Sequence, residues 1–154
     1  MTFFTEFSPD RMIVVAGEHN TATGSDGVRH TVACKKEHPQ YNFPNFDFAI
    51  LTLDEPVDIT SADSKARAAC LPSDTSKLYE NGELMTVSGW GRHYEGQDLN
   101  KIPSILHHVQ VPGVSNAVCQ ADYRYERISI DIMCAGLDEG GIMKGACRGD
   151  SGGD

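Results

Sequence analysis

Short apolar runs separated by polar turn residues dominate the chain. Each run is rich in Val, Ile, Phe or Leu and is bounded by Gly, Asn, Asp or Pro, which is typical of β-strands. The runs are too short for most helices. The pattern predicts strands at 11–16, 31–34, 48–53, 84–88 and 105–111, the last of them preceded by a polar loop at 93–101.

One segment has helical character. Residues 115–123 place Ala117, Val118 and Ala121 on one side of a helix, and Ser115 can cap its first turn. A polar, proline-containing stretch at 54–83 separates the two groups of strands and suits a connection over the surface. We therefore expect a mostly β chain made of two β subdomains, at 1–53 and 84–154, joined by a linker at 54–83.

Size and charge narrow the function classes. The chain has 154 residues, of which 40% are hydrophobic, so it can form one core but is short for a complete two-barrel enzyme of roughly 200 to 250 residues. A net charge of -9 argues against nucleic acid or an anionic membrane surface as a partner. No apolar run approaches the roughly 20 residues of a membrane helix, and the first seven residues do not resemble an export signal.

The five cysteines point to an oxidising compartment, because spacings of this kind are typical of disulfide-bonded proteins. Five is an odd number. At least one cysteine is therefore free, or its partner lies on sequence outside these residues.

The strongest chemical signal is Ser151 in the run Cys147-Arg148-Gly149-Asp150-Ser151-Gly152-Gly153. Glycines on both sides leave the hydroxyl on a sharp turn without bulky neighbours. The amides of Gly149 and Ser151 could then form an oxyanion hole, which stabilises charge that appears only in the transition state. The alternative is a flexible polar loop, since Gly, Asp and Ser are also ordinary turn residues.

The run C-x-G-D-S-G-G resembles the active-serine motif of the chymotrypsin/trypsin family of serine proteases. Six further stretches are similar to family motifs and follow in the family's order. They are V-V-A-G-E-H at 14–19, H-P-Q-Y-N at 38–42, D-F-A-I-L-T-L at 47–53, A-C-L-P at 69–72, S-G-W-G at 88–91 and M-C-A-G at 133–136. The resemblance implies an all-β, chymotrypsin-like double six-stranded antiparallel β-barrel. It further implies that the barrels are incomplete, without the first part of one and the last part of the other.

A serine nucleophile needs an imidazole to take its proton and a carboxylate to orient that imidazole. The resemblance assigns the catalytic carboxylate to Asp47, which lies in an apolar strand start where burial would require a hydrogen bond. The family's A-A-H-C motif, which carries its catalytic histidine, is absent. We expect this histidine to lie outside the chain, and the 154 residues alone to be inactive.

The resemblance assigns further roles near the serine. Asp150 would pair with the new N-terminus that activating cleavage creates, although the usual I-V-G-G sequence is absent. Without that ammonium, Asp150 would be a buried charge lacking its partner. Gly145 would form the floor of the specificity pocket and favours an apolar or small substrate residue, whereas Arg148 at the rim could attract acids.

The resemblance also implies a disulfide between Cys119 and Cys134. Cys147 would bond to a cysteine beyond residue 154, and a bridge between Cys34 and Cys70 stays open. Both ends of the chain are thus expected to be cut relative to a complete domain.

The leading hypothesis is a secreted serine endopeptidase, made as a zymogen, or a large fragment of one. It would act on protein or peptide substrates as a monomer, without metal or other cofactor, and could bind protein inhibitors. The alternative is a non-catalytic homologue that serves as a binding or regulatory module. A third hypothesis is an incomplete gene product without a stable fold.

Overall fold

A computed structural model describes residues 7–24, 26–73, 82–94, 96–98 and 102–153. In its first half, a short 3-10 turn at Pro9–Arg11 leads into strand β1 at Ile13–Ala16. Strand β2 at Val28–Glu37 and strand β3 at Ala49–Leu53 complete a three-stranded antiparallel sheet in the order β1-β2-β3.

The second half holds another three-stranded antiparallel sheet. Strand β4 covers Leu84–Gly89, β5 covers His107–Val114 and β6 covers Cys134–Ala135, in the order β4-β5-β6. Helix α1 at Asn116–Asp122 lies between β5 and β6 in the chain. Strands β7 at Leu137–Glu139 and β8 at Ile142–Lys144 form a separate hairpin.

The largest difference from the predicted strands is in β2, which extends to Glu37. The charged residues after Cys34 made the sequence pattern end there. The strand continues because β2 is the middle strand, so that Glu37 still pairs with Ala49 of β3. An ion pair between Lys35 and Glu37, with 2.9 Å between nitrogen and oxygen, lets both charges lie along the strand.

The helix is present, but its expected apolar side is not its buried side. The Ser115 hydroxyl accepts a hydrogen bond from the Val118 amide, as expected of a cap. Val118 is 56% exposed, and the buried residue of α1 is Cys119. The helix is attached to the sheet by a disulfide from Cys119 to Cys134, the pair named from the resemblance. This covalent link replaces the apolar contact that the sequence pattern suggested.

The two sheets meet along the backbone. Asn20 forms a bridge with Ile105, and the Leu106 amide donates to the His19 carbonyl over 2.9 Å. Trp90 Nε1 donates to the same carbonyl over 3.3 Å. The start of β5 and the end of β4 are thus held against the loop that follows β1.

The described residues bury few side chains. Val32 in β2 and Val111 in β5 are the buried aliphatic residues, one in the middle strand of each sheet. The expectation of an all-β chain with one short helix is confirmed, and no sheet of the described residues closes into a barrel. Part of the predicted linker, at 74–81, lies outside the described residues. In the described parts, no helix is long and apolar enough to cross a membrane.

Candidate active site

Ser151 lies in a tight turn near the end of the chain, which we call the serine turn, residues 147–153. Two backbone hydrogen bonds close it: the Asp150 amide donates to the Cys147 carbonyl over 3.1 Å, and the Gly153 amide donates to the Asp150 carbonyl over 2.8 Å. Gly149 has a φ of 102°, a left-handed value that favours glycine. The turn exposes Ser151, as a nucleophile requires.

The carboxylate of Asp150 points back into the protein and accepts two backbone hydrogen bonds. Oδ1 accepts from the Gly91 amide over 2.7 Å, and Oδ2 accepts from the Cys147 amide over 2.9 Å. One bond reaches across 59 positions of sequence, and the other closes the turn on itself. Backbone amides thus occupy both oxygens of Asp150, and its expected pairing with a new N-terminus stays a prediction.

Two glycines of the S-G-W-G motif make room for this carboxylate. A Cβ atom added at Gly91 would lie 2.5 Å from Asp150 Cγ, and one added at Gly89 would also collide with Oδ1. A Cβ added at Gly149 would lie 3.0 Å from the Gly91 Cα. In the sequence, this motif is only a mark of the family resemblance. The structure shows that glycines at these positions, which have no Cβ, allow direct contact between the serine turn and the end of β4.

A cleft of about 350 Å³ lies beside the serine, and we call it the serine cleft. Its walls are the end of β4, Trp90 and Leu106, together with Gly149 to Gly153 of the serine turn. Within the described part of the chain, the amides of Gly149 and Ser151 donate to no protein acceptor, whereas the Asp150 amide between them is bonded. Donors without a protein acceptor beside an exposed hydroxyl meet one requirement of an oxyanion hole.

Asp47 is exposed, and its carboxylate makes no hydrogen bond with the described residues. The burial expected from its apolar neighbours is not observed. Those neighbours pack on His38 instead, whose ring lies 4.7 Å from that of Phe46 and 4.9 Å from that of Phe48. Asp47 lines neither the serine cleft nor the cleft next to it, so its catalytic role stays a prediction.

The loop before Asp47 is nevertheless held by the second half of the chain. The Phe46 amide donates to Asp131 Oδ2 over 2.7 Å, and the Ser129 hydroxyl contacts both Asp131 and Asn45. Hydrogen bonds from Ser129 and Phe46 lower the pKa of the Asp131 carboxyl, with a smaller contribution from the charge of His38. Phe46 has a φ of 53°, which is unusual for a residue with a side chain. Asp131 thus fixes the backbone next to Asp47.

None of the chain's histidines, all of them among the described residues, lines the serine cleft. His93, His107 and His108 line an adjoining cleft of about 360 Å³. Gly145 lines this second cleft together with Asp150, whereas the exposed Arg148 lines neither cleft. Of the two predicted specificity residues, Gly145 alone therefore lines one of these two clefts.

Three cysteines carry no disulfide in the structure: Cys34, Cys70 and Cys147. The open possibility of a bridge between Cys34 and Cys70 is not realised. Among the residues that the structure describes, no group of three or more His, Cys, Asp or Glu side chains could hold a metal ion.

The amino-acid sequence of the chain is similar to known members of one protein family. Residues 4–153 match the family model described as Trypsin. The chain is 34% identical over 151 residues to serine protease filzig of Drosophila melanogaster, covering 92% of this chain and 8% of that protein. It is 39% identical over 132 residues to serine proteinase stubble of the same organism, covering 82% and 16%.

A third relative is trypsin eta of Drosophila melanogaster, which is 36% identical over 147 residues. That match covers 94% of this chain and 52% of the relative. The chain therefore spans at most about half of the length of these three curated relatives.

Proposed function

This chain belongs to the trypsin family of serine proteases, and we propose that it carries the nucleophile and catalytic carboxylate of a secreted serine endopeptidase. The observation on which the proposal rests is the geometry of the serine turn. Ser151 is exposed beside a cleft, and the amides of Gly149 and Ser151 on the same turn have no protein acceptor among the described residues. Secretion is supported by the Cys119–Cys134 disulfide, since such bonds persist in oxidising compartments.

In the proposed reaction, the Ser151 hydroxyl attacks the carbonyl carbon of a peptide bond. An imidazole accepts the hydroxyl proton, and the two free amides stabilise the oxyanion that forms. The imidazole then gives the proton to the leaving amine, which yields an acyl-enzyme that water hydrolyses. We assign the imidazole to a residue outside 1–154, because none of the six histidines lines the serine cleft. Asp47 would orient that imidazole.

Asp150 has a supporting role in this proposal. Its carboxylate fixes the turn that presents Ser151 and keeps the neighbouring amides available. On activating cleavage, the new ammonium would compete with the Gly91 and Cys147 amides for the same oxygens. The enzyme would act as a monomer on protein substrates, open to protein inhibitors, without a metal or other cofactor.

A fluorophosphonate probe, which labels activated serines, tests the proposal. The full-length protein in its cleaved form should be labelled rapidly, and Ser151→Ala should abolish the labelling. Ser61→Ala, a serine outside the cleft, is the matched control and should label like the parent. Asp47→Asn should lower kcat by about 10⁴-fold, the loss that this change causes in a well-studied family member.

The isolated 154 residues should label slowly or not at all, because loss of the histidine alone costs on the order of a millionfold in kcat. Rapid labelling of this chain, abolished by Ser151→Ala, would show that one of its own histidines is the base. A full-length protein that resists the probe but still binds protein partners would favour the non-catalytic homologue. The observation behind that alternative is the serine cleft without a histidine.

A further inference from the structure

The cleft next to the serine cleft is rich in basic groups, and we call it the basic cleft. It has a volume of about 360 Å³. Its lining includes one guanidinium, one ammonium and three imidazoles, contributed by the segment after β4, the start of β5 and the end of β8. These side chains are Arg92, His93, His107, His108 and Lys144. This concentration of basic side chains contrasts with the net charge of -9 of the whole chain.

Arg92 is the group in this cleft that most needs a partner. Its Nε atom is buried and makes no hydrogen bond, and none of the ion pairs of the described residues includes it. A buried donor without an acceptor costs on the order of 1–3 kcal/mol, more when it is charged. The backbone of Arg92 is fixed, since its amide donates to the Arg148 carbonyl over 2.9 Å.

The other charged residues of the cleft do not supply an acceptor for Arg92 Nε. The carboxylate of Asp150 already accepts hydrogen bonds from the Gly91 and Cys147 amides. Lys144 pairs with Glu139 over 2.6 Å. Asp150 keeps its negative charge, but backbone amides hold its two oxygens, so Arg92 Nε has no acceptor among the described residues.

We propose that the basic cleft binds a carboxylate, and that on substrates this carboxylate is the side chain of an aspartate or glutamate. A guanidinium matches a carboxylate with two parallel hydrogen bonds, which gives both energy and orientation. The adjacent His93 and His107 rings, 4.5 Å apart, each carry a ring N–H that can donate to the same ligand. The ligand is anionic because Arg92, the residue in the cleft with a buried nitrogen that lacks a partner, is a cation that can only donate.

The substrate assignment rests on the proposed function and on the position of the cleft. Ser88, Gly89 and Asp150 line both the basic cleft and the serine cleft, so the two are neighbours. Gly145 leaves space in the basic cleft, because no atom lies within 4 Å of a Cβ added there. The uncharged position 145 alone suggested an apolar or small substrate residue. The unpaired Arg92 guanidinium in the same cleft favours an acidic one.

Direct binding tests the inference independently of catalysis. The probes are N-acetyl-glutamate and its neutral isostere N-acetyl-glutamine, titrated calorimetrically into the full-length protein carrying Ser151→Ala. We expect the acid to bind about tenfold more tightly, the effect of one charge-assisted hydrogen bond beyond a neutral one. Arg92→Gln should remove this difference. Arg29→Gln, an exposed arginine on β2 that lines neither cleft, should preserve it.

Two results would overturn the inference: equal binding of both probes, or a preference for the acid that survives Arg92→Gln. Should Arg92→Gln fail to fold, Arg92→Lys replaces it, because it keeps the charge but loses the paired hydrogen bonds. Its preference should then be reduced, and an unchanged preference would equally count against the cleft. Since Ser151→Ala removes the nucleophile, a positive binding result stands even if the protein proves inactive.

Discussion

Replacing Gly91 by alanine tests whether the Asp150 contact holds the serine turn in place. The new Cβ would lie 2.5 Å from Asp150 Cγ and Oδ1 and 2.6 Å from Oδ2. No heavy atoms approach so closely without a bond, and the obstacle is a short side chain fixed at both oxygens. The carboxylate must therefore leave its position.

The size of the effect follows from the hydrogen bonds that are lost. Asp150 is half-buried, so each of its two bonds counts at the low end for a charged acceptor, about 1.5 kcal/mol. Alanine also restricts the unfolded chain, which offsets the loss by about 0.5–1 kcal/mol. The net decrease in the free energy of unfolding is about 2 kcal/mol, or a urea midpoint lower by about 1 M.

The measurement is urea denaturation followed by the fluorescence of Trp90, the single tryptophan, which lies between the two glycines. Gly145→Ala is the matched control, because its added Cβ meets no atom within 4 Å and should change stability by less than about 0.5 kcal/mol. Amide hydrogen exchange gives a local readout. The Cys147 amide should lose protection in Gly91→Ala and keep it in the control.

The reasoning fails if Gly91→Ala and Gly145→Ala unfold at the same urea concentration while the Cys147 amide stays protected. The Asp150 carboxylate would then lie elsewhere in solution, and the glycines of the S-G-W-G motif would need another explanation. A loss of stability without loss of Cys147 protection would also contradict it, since the damage would lie outside the turn.

Two further predictions concern the contacts that join distant segments. Replacing Cys119 and Cys134 together by serine should lower the free energy of unfolding by about 3 kcal/mol, the chain-entropy value for a loop of 15 residues. Guanidinium denaturation with and without reductant measures this loss. Reductant should destabilise the parent protein but leave the double variant unchanged. Because the folded pKa of Asp131 is lowered, its stabilising contribution is present above the ordinary value of 3.8 and is lost as the pH falls through the lower folded value. Asp131→Asn should therefore reduce stability at pH 7 and flatten its decline below pH 4 in urea titrations. An unchanged acid profile would show that the hydrogen bonds from Ser129 and Phe46 to this carboxylate are not formed in solution.

The strands were predictable because each is short, rich in β-branched residues and bounded by turn formers. The ends of the strands were less predictable, because the position at which a strand ends depends on how far the adjacent strand pairs with it. β2 continues through charged residues since β3 still pairs with it at Glu37. The short strands β6, β7 and β8 hold two or three residues each, too few for any periodic pattern to appear in the sequence.

Three of the predicted site residues lie together in the structure, but their contacts were not predictable from the sequence. Ser151, Gly149 and Asp150 were identified from one local run, and they do share one cleft. The partner of Asp150 could not be found in that way, because the Gly91 amide is 59 positions away and carries no side-chain signal. Backbone donors are the same in every residue type except proline. The only trace in the sequence is the absence of a side chain at Gly89 and Gly91.

The two most specific motifs of the chain are therefore two sides of one contact. The glycines of S-G-W-G are needed because the aspartate of G-D-S-G-G lies against them, and the aspartate is needed because it fixes the turn. With the carboxylate bonded to Gly91 and Cys147, the backbone around it leaves the Gly149 and Ser151 amides without protein acceptors among the described residues. A group that displaced the Asp150 carboxylate from the Gly91 and Cys147 amides would change the turn that carries Ser151. We therefore expect the proposed activity to depend on the two hydrogen bonds of the Asp150 carboxylate.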